Sequence, residues 1–217
     1  MSARALIVAK APVIGEVKTR LGAEIGMAAA ADLAAAALLD TMAACQTAFG
    51  AESCFLALAG DLSRAERSNE LAVALEGWKV FDQRGADFAA RLVHAHTDIP
   101  QGSPVVQVGM DTPQVRAEDL RGVAAGLADA DAVLGPADDG GWWVLALTSP
   151  EPARVLRAVA MSTATTYDDT RRALRAHGVR VASAQPMRDV DTATDAAVVA
   201  GHCPATRFAR AWQVRAR

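Results

Sequence analysis

Two cations, Lys18 and Arg20, are separated by a single residue in the loop that follows an apolar run over residues 5–9. The run is typical of a buried strand, and ligands of open α/β sheets bind beyond the carboxyl ends of the strands. We therefore expect Lys18 and Arg20 to face an anionic ligand, which we interpret as the phosphates of a nucleotide. The loop is not a P-loop, because Val17 rather than glycine precedes the lysine.

A carboxylate, Asp111, follows a second apolar run over residues 104–108, and Pro113 prevents the strand from continuing. This placement puts Asp111 at the carboxyl tip of a strand, where sheet proteins bind ligands. An aspartate before Thr-Pro is also a good turn former, because its side chain accepts hydrogen bonds from nearby amides. The sequence alone leaves both interpretations of Asp111 open.

Two further carboxylates, Asp189 and Asp191, follow the last predicted strand. Residues two apart point the same way in an extended segment. Carboxylate oxygens paired in this way suit a hard divalent cation. Thr192 and Asp195 also resemble a helix capping box, which is compatible with metal binding. The segment therefore predicts both a helix start and a candidate metal site.

A glycine-rich bend, formed by Asp139, Gly140 and Gly141, is expected to reverse the chain as a hairpin, since glycine permits positive φ. A purely structural turn is one interpretation. The other is that the glycines let an acceptor substrate approach the backbone while Trp142 walls its pocket. Because neighbouring strand residues point to opposite faces, at most one of Trp142 and Trp143 is expected to line the site.

Other familiar catalytic arrangements are absent from the sequence. It contains neither the His-Glu-x-x-His zinc motif nor the Gly-x-Ser-x-Gly nucleophile elbow. His94 and His96 fall on different faces of a predicted helix, and Cys45, Cys54 and Cys203 share no metal-ligand spacing. Without a cysteine–histidine cluster zinc is not expected, and the predicted metal is Mg²⁺ or Mn²⁺.

Strand-like and helix-like segments alternate along most of the chain, which is typical of an α/β fold with a mostly parallel sheet. Strands are predicted over residues 5–9, 53–59, 78–81, 104–108, 132–134, 142–147 and 179–183. Helices are predicted over residues 26–48, 64–75, 87–97, 117–128, 151–158, 165–177 and 192–198. The hairpin makes the predicted sheet mixed. We predict one domain over residues 1–200 and a basic tail over residues 201–217, either packed or mobile.

The overall composition excludes several classes of protein. A net charge of −3 and a pI near 5.8 argue against nucleic acid as the main partner, because backbone-binding proteins are usually basic. Three cysteines without framework spacing fit a reduced, cytoplasmic compartment. The alanine-rich span over residues 27–45 approaches membrane length, but Asp32 and Asp40 interrupt it. Alanine is only weakly apolar, so we predict a helix packed on a sheet and no membrane span.

Four segments, taken in order, resemble the bacterial DUF2064 family, also described as transferase 1 associated with radical-SAM/selenodomain clusters. They lie at residues 10–21, 109–113, 131–141 and 189–192. This family is placed in the GT-A superfamily of nucleotide-diphospho-sugar transferases. The Lys-Thr-Arg-Leu and Asp-Val-Asp-Thr pieces are also similar to those of the guanylyltransferases of coenzyme F420 biosynthesis.

The resemblance implies a GT-A-type, Rossmann-like mixed sheet with helices on both faces and a nucleotide over its N-terminal half. The implied Mg²⁺ ligands are Asp111, Asp189 and Asp191. The residues assigned to the nucleotide are Lys10, Gly15, Lys18, Arg20 and Gly85. The residues assigned to the acceptor are Asp139, Gly140, Gly141 and Trp142.

The preferred reaction is nucleotidyl transfer, in which a phosphorylated or oxyanion acceptor attacks the α-phosphorus of a nucleoside triphosphate and pyrophosphate leaves. Such transfer needs positioning and charge neutralisation rather than a protein nucleophile, with Lys18, Arg20 and Asp111 as the catalytic residues. The alternative is glycosyl transfer from an NDP-sugar, with Asp139 as base; Gly109 at the first position of the GT-A Asp-x-Asp motif counts against it. A non-catalytic nucleotide-binding protein is a third hypothesis, and three carboxylates directed at one cleft count against that.

Overall fold

The computed structural model describes residues 3–215 of the 217-residue chain. Within them, the strands are β1 (Arg4–Lys10), β2 (Cys54–Ala59), β3 (Lys79–Asp82), β4 (Val105–Val108), β5 (Ala132–Pro136), β6 (Trp142–Leu147) and β7 (Val181–Ser183). The α-helices are α1 (Thr19–Ile25), α2 (Met27–Phe49), α3 (Ser68–Ala74), α4 (Phe88–Asp98), α5 (Ala117–Ala125), α6 (Thr166–Ala176), α7 (Ala193–His202) and α8 (Arg207–Arg215). Each element predicted from the sequence is present, although Glu151–Ala158 winds as a 3₁₀ rather than an α-helix.

The seven strands form one sheet in the order β3-β2-β1-β4-β6-β5-β7. Among the described strands only β6 is antiparallel to its neighbours, β4 and β5, so the predicted mixed, mostly parallel sheet is confirmed. The chain moves outward from β1 to β3 and then places β4 on the other side of β1. The carboxyl ends of β1 and β4 therefore form a topological switch point, where ligands of open sheets bind.

Each face of the sheet has its own core, because the side chains of β1 alternate between the faces. Ala5 and Ile7 pack with residues of α2 and α5 on what we call the α2 face. Leu6 and Val8 pack with α4, α6 and the 3₁₀ turn on what we call the α4 face. Helices therefore cover both faces, as predicted.

α2 is long and apolar enough, by length and composition, to cross a membrane, and no other helix within residues 3–215 is. Most of it is buried inside the protein, where it packs on the sheet, α5 and α8. Its buried residues include a run of alanines over residues 34–37, whose small side chains allow close packing. The predicted helix packed on a sheet is confirmed.

α8 was not predicted, because its sequence is rich in arginine and only one large apolar residue, Phe208, is deeply buried. Phe208 is buried among residues of α2 and α7. The Asp40 carboxylate on α2 caps the helix by accepting hydrogen bonds from the backbone N–H groups of Arg207 and Phe208, at 3.1 and 2.8 Å. The described part of the predicted tail is therefore packed, and residues 216–217 lie outside the described residues. The division of the chain at residue 200 stays a prediction.

α1 was also missed, since two helical turns give too short a pattern to recognise. It begins after Lys18, whose backbone is left-handed at φ 45°, and it ends at Gly26, where φ is 93°. Leu21 anchors it against α2. The helix matters for the site, because its N-cap residue is one of the two predicted phosphate-binding cations.

Candidate active site

The three predicted metal ligands come together at the carboxyl edge of the sheet. Asp111 follows β4, and Asp189 and Asp191 lie in the segment between β7 and α7. One carboxylate oxygen of each lies within 4.8 Å of the others. The predicted capping box is also present, because the Thr192 hydroxyl accepts a hydrogen bond from the Asp195 N–H at 3.2 Å. Helix capping and convergence of the carboxylates therefore coexist.

Both predicted phosphate-binding cations contact this triad. The Lys18 ammonium donates to Asp111 Oδ2 and to Asp191 Oδ1, each at 2.8 Å. Arg20 Nη1 donates to the other Asp191 oxygen at 3.2 Å. Lys18 is 13% exposed and Arg20 is 73% exposed. Since an ammonium carries three N–H donors, one donor of Lys18 is left for a ligand, together with most of the Arg20 guanidinium.

The charges in this cluster shift one another's pKa values. Burial lowers the pKa of Lys18, but the carboxylates of Asp111 and Asp191 outweigh it and raise that pKa above its ordinary value. Burial raises the pKa of Asp191, but Lys18 and Arg20 together outweigh burial and hold that pKa below its ordinary value. Burial, followed by the carboxylates of Asp139 and Asp111, raises the pKa of Asp189 to about 6. Asp189 therefore lies in an excess of negative charge that a bound cation would neutralise.

The donor set fits Mg²⁺ or Mn²⁺, because all three ligands are hard carboxylate oxygens. Within residues 3–215, no other group of three histidine, cysteine, aspartate or glutamate side chains converges in this way. Asp111, Asp189 and Asp191 are therefore the residues that could hold a divalent cation.

Two residues at the site have a strained backbone. Lys18 and Ser162 adopt positive φ values of 45° and 59°, in the left-handed region that residues other than glycine rarely occupy. Such strain costs about 1–3 kcal/mol and persists where the surrounding structure enforces it, often at functional sites. For Lys18, the ion pairs with Asp111 and Asp191 stabilise this backbone conformation.

The bend between β5 and β6 is a hairpin, as predicted. Asp139 stabilises it by accepting a hydrogen bond from the Gly141 N–H at 2.7 Å. Gly140 has φ 89°, and a side chain there would overlap the backbone of Ala164. Glycine at this position is therefore required by the packing of the hairpin.

Trp142 and Trp143 point to opposite faces of the sheet. Trp142 packs on the core of the α4 face, whereas Trp143 is buried in the core of the α2 face. Both nevertheless border the same cavity, so the expectation that at most one of them lines the site was wrong. The register of β5 and β6 shifts between Gly135 and Pro136, where Pro136 pairs with Trp142.

A cavity of about 580 Å³ lies beside the triad, within the range of about 300–1,000 Å³ usual for small-molecule sites. The predicted residues that line it are Lys10, Asp111, Asp139, Gly141, Trp142 and Asp189. Lys18, Arg20 and Asp191 do not line the cavity. Lys18 is ion-paired with Asp111, which does line it, and Asp191 is ion-paired with both Lys18 and Arg20. The structure does not bring Gly15, Gly85 or Gly140 to the cavity.

Gly85, assigned to the nucleotide, has a structural role instead. Its φ is 143°, and a side chain there would overlap the backbone of Ala90 and Arg91 in the first turn of α4. Gly15 has φ 77° and open space around it, which is typical of a turn. Both glycines shape loops that flank the cavity without lining it.

Several residues that line the cavity were not predicted from the sequence, among them Gln83, Phe88, Arg91, Gln107, Met161 and Ser162. Gln107 had a recognisable signal, because it is the one polar residue of the apolar strand β4. Gln83 donates from its amide nitrogen to the carbonyl oxygens of Ala9 and Ala57, at 2.8 and 3.0 Å, and so ties the ends of β1 and β2 together.

Behind Gln107 lies a fully buried histidine, His96 of α4. Its Nε2 lies 2.7 Å from Gln107 Oε1. Burial lowers the pKa of His96 to about 4, although the hydrogen bond to Gln107 opposes the shift. The imidazole is therefore neutral at pH 7.

Because His96 is buried in its neutral form, we expect the free energy of unfolding to fall at acid pH. The unfolded chain binds this proton below the ordinary pKa of 6.5, and the folded chain only below about 4. Stability that is present above pH 6.5 is therefore lost as the pH falls towards 4, by about 2–3 kcal/mol at pH 4.5. Urea denaturation at pH 7.5 and pH 4.5 should show this loss in the wild type and a smaller one in His96→Gln. Equal losses in the two proteins would rule out His96 as the cause.

The family profile described as "Uncharacterized protein conserved in bacteria (DUF2064)" matches residues 41–163, which is more than half of the chain. No protein with a curated description matches.

Three solved structures share the fold. A crystal structure from Desulfovibrio desulfuricans, provisionally named a nucleotide-diphospho-sugar transferase, has a TM-score of 0.82 and 25% identity over 98% of this chain and 94% of that one. A cytidylyltransferase from Leptospira borgpetersenii has a TM-score of 0.59 and 11% identity, covering 99% and 93% of the two chains. The manganese complex of Rv0371c from Mycobacterium tuberculosis has a TM-score of 0.53 and 18% identity, covering 92% and 98%. The predicted GT-A-type fold is confirmed.

Proposed function

Because the chain belongs to the DUF2064 family of bacterial proteins, we propose that it is a metal-dependent transferase with a nucleotide substrate. The preferred reaction is nucleotidyl transfer from a nucleoside triphosphate to a phosphorylated or oxyanion acceptor. One observation carries the proposal. Three carboxylates and two cations converge beside a cavity of small-molecule size at the switch point of the sheet.

In this reaction an acceptor oxygen forms a bond to the α-phosphorus, the bond to the β-phosphate oxygen breaks, and pyrophosphate leaves with the electron pair. Mg²⁺ or Mn²⁺ held by Asp111, Asp189 and Asp191 supplies charge neutralisation. Arg20 and the remaining N–H of Lys18 bind phosphate oxygens. An acceptor that is already an oxyanion needs no general base.

The similar structures support this proposal in two ways. One is a cytidylyltransferase, an enzyme whose name describes nucleotidyl transfer. Another was solved with manganese, the kind of ion that the triad fits. We further propose that the protein acts in the cytoplasm on small molecules, since the cysteines among residues 3–215 are free thiols.

Glycosyl transfer from an NDP-sugar is the second candidate, and the name of the Desulfovibrio desulfuricans protein favours it. That reaction requires a base for an acceptor hydroxyl. Asp139 lines the cavity and its carboxylate raises the pKa of Asp189, so the two carboxylates are close. Asp139 is thus the candidate base.

The two reactions are separated by their products. The protein is incubated with Mg²⁺, each nucleoside triphosphate and a panel of phosphorylated acceptors, and pyrophosphate is measured. A parallel panel of UDP- and GDP-sugars is assayed for free nucleoside diphosphate. We expect pyrophosphate release that depends on both Mg²⁺ and acceptor. Release of nucleoside diphosphate alone would favour glycosyl transfer, and metal-independent binding without turnover would favour a non-catalytic protein.

A further inference from the structure

Part of the cavity is lined by residues of α4 and of the sheet face that α4 covers. We call this part the α4 arm; it is lined by Val8, Arg91, Gln107, Trp142 and Met161. Val8 belongs to the core of the α4 face, and Trp142 and Met161 pack against that core. The cavity thus joins the acidic residues Asp111, Asp139 and Asp189 to residues of the α4 face.

Gln107 presents hydrogen-bond donors to the α4 arm. Its side chain is 2% exposed, and its oxygen is occupied by the contact with His96 Nε2 at 2.7 Å. Its two amide N–H donors have no partner among residues 3–215. The amide nitrogen keeps some exposure to the cavity, so a ligand oxygen bound there can accept hydrogen bonds from it.

His96 determines which end of the Gln107 amide faces the arm. Nε2 of the imidazole faces the amide oxygen, and in this arrangement Nε2 carries the ring proton and donates it. The other ring nitrogen, Nδ1, is buried without a partner. A neutral imidazole in this tautomer holds the amide oxygen inward and leaves the N–H groups towards the cavity. His96 is therefore a positioning residue.

One further donor side chain lines the same arm. Arg91 is half-buried on α4; its side chain makes one hydrogen bond, from Nε to the Asp87 carbonyl oxygen at 3.4 Å, and no ion pair within residues 3–215. The indole N–H of Trp142 is buried without a partner and does not face the cavity. The other residues that define the arm, Val8 and Met161, are apolar. The polar side chains of the arm thus offer a positive charge and several N–H groups.

We propose that the α4 arm is an oxyanion subsite, in which Arg91 and the Gln107 amide bind a carboxylate or phosphate group of the acceptor substrate. An oxyanion accepts hydrogen bonds and donates none, which matches an arginine and an amide that present only donors. The assignment to the acceptor rests on the proposed function. There the nucleotide phosphates lie at the triad with Lys18 and Arg20, so the arm receives a different anionic group.

The test uses inorganic phosphate as the probe, in EDTA so that no metal can capture it at the triad. Binding is followed by tryptophan fluorescence at constant ionic strength, since Trp142 lines the arm. We expect Arg91→Gln to weaken phosphate binding about tenfold or more, the usual worth of a charged hydrogen bond. Arg84→Gln is the matched control, because Arg84 is exposed and paired with Asp98. It should leave phosphate affinity unchanged.

Two substitutions examine the amide and its support. Gln107→Glu keeps the shape but replaces the N–H donors by a carboxylate oxygen, and it should abolish phosphate binding. His96→Phe removes the donor that orients the amide, and it should weaken phosphate binding several-fold while nucleotide affinity is retained. A purely structural role for His96 would not separate these two affinities. If either variant fails to fold, Arg91→Gln still decides the question.

The outcomes separate this inference from the proposed function. Phosphate affinity that Arg91→Gln leaves unchanged would overturn the subsite, whether or not the wild type releases pyrophosphate. An equal loss of nucleoside triphosphate affinity in Arg91→Gln would assign the subsite to the nucleotide and overturn its assignment to the acceptor. Phosphate binding that depends on Arg91, in a protein that produces no pyrophosphate, would instead contradict the nucleotidyl-transfer proposal alone.

Discussion

Asp111→Asn is expected to lower the rate of pyrophosphate release by about a thousandfold or more, while the fold stays within about 1 kcal/mol of wild-type stability. The loss follows because a metal ligand is removed, and charge neutralisation by a metal is worth several kcal/mol in the transition state. The small change in stability has two opposing causes. Lys18 loses one of its carboxylate partners, but Asp189 loses the repulsion of a neighbouring carboxylate.

This expectation is checked by steady-state pyrophosphate assays and urea denaturation of the same preparations. Asp129→Asn is the matched control, because Asp129 lies exposed before β5, at the opposite edge of the sheet. It should retain wild-type turnover. Turnover by Asp111→Asn at the wild-type rate would remove Asp111 from the site.

Lys18→Met is expected to lower stability in EDTA by about 1–3 kcal/mol, and Mn²⁺ should restore much of the loss. Lys18 is the shared partner of Asp111 and Asp191, so its removal leaves three close carboxylates without their main counter-charge. The magnitude lies between those of exposed and fully buried ion pairs. A cation bound to the triad would take over the neutralisation and stabilise the folded state by mass action.

Thermal denaturation with and without Mn²⁺ measures this effect. The Mn²⁺-induced rise in melting temperature should be larger for Lys18→Met than for the wild type. Lys79→Met provides the comparison, since Lys79 is exposed on β3, away from the triad, where its ammonium donates to the Glu52 carbonyl oxygen and lies over the Phe55 ring. An equal rise in Lys18→Met and Lys79→Met would contradict the claim that Lys18 and the ion neutralise the same carboxylates.

The sheet could be predicted because the strands carry local signals. The apolar runs gave the strands, and the Asp-Gly bend gave the antiparallel hairpin of β5 and β6. α1 and α8 were missed for physical reasons. One is only two turns long, and the other is held by a distant carboxylate, Asp40, and by one buried phenylalanine.

The identities of many site residues could be predicted from the sequence, but the contacts between them could not. Lys18 was expected to meet phosphates, yet its closest partners are Asp111 and Asp191, which lie 93 and 173 residues away in the sequence. Only folding brings such positions together. Similarly, Arg91 lies in an ordinary amphipathic helix, and nothing in its local sequence separates it from a solvated arginine.

Three of the glycines that were assigned to substrate binding, Gly15, Gly85 and Gly140, do not line the cavity. Glycine can serve either ligand approach or backbone geometry, and sequence does not distinguish the two uses. Gly85 and Gly140 both serve packing, since side chains there would overlap α4 and Ala164. The nucleotide role of Gly85 and the acceptor role of Gly140 stay predictions. Neither residue lines the cavity, so their positions do not support these roles.

The most direct test of the account is a titration with Mn²⁺, followed by electron paramagnetic resonance, of the wild type and three variants in the presence of nucleoside triphosphate. The account predicts saturable protein-bound Mn²⁺ in the wild type and in Asp129→Asn. Binding should be weakened at least about tenfold in Asp111→Asn and in Asp191→Asn, since each removes a charged ligand. Equal Mn²⁺ affinity in all four proteins would contradict the claim that these distant aspartates form one metal site.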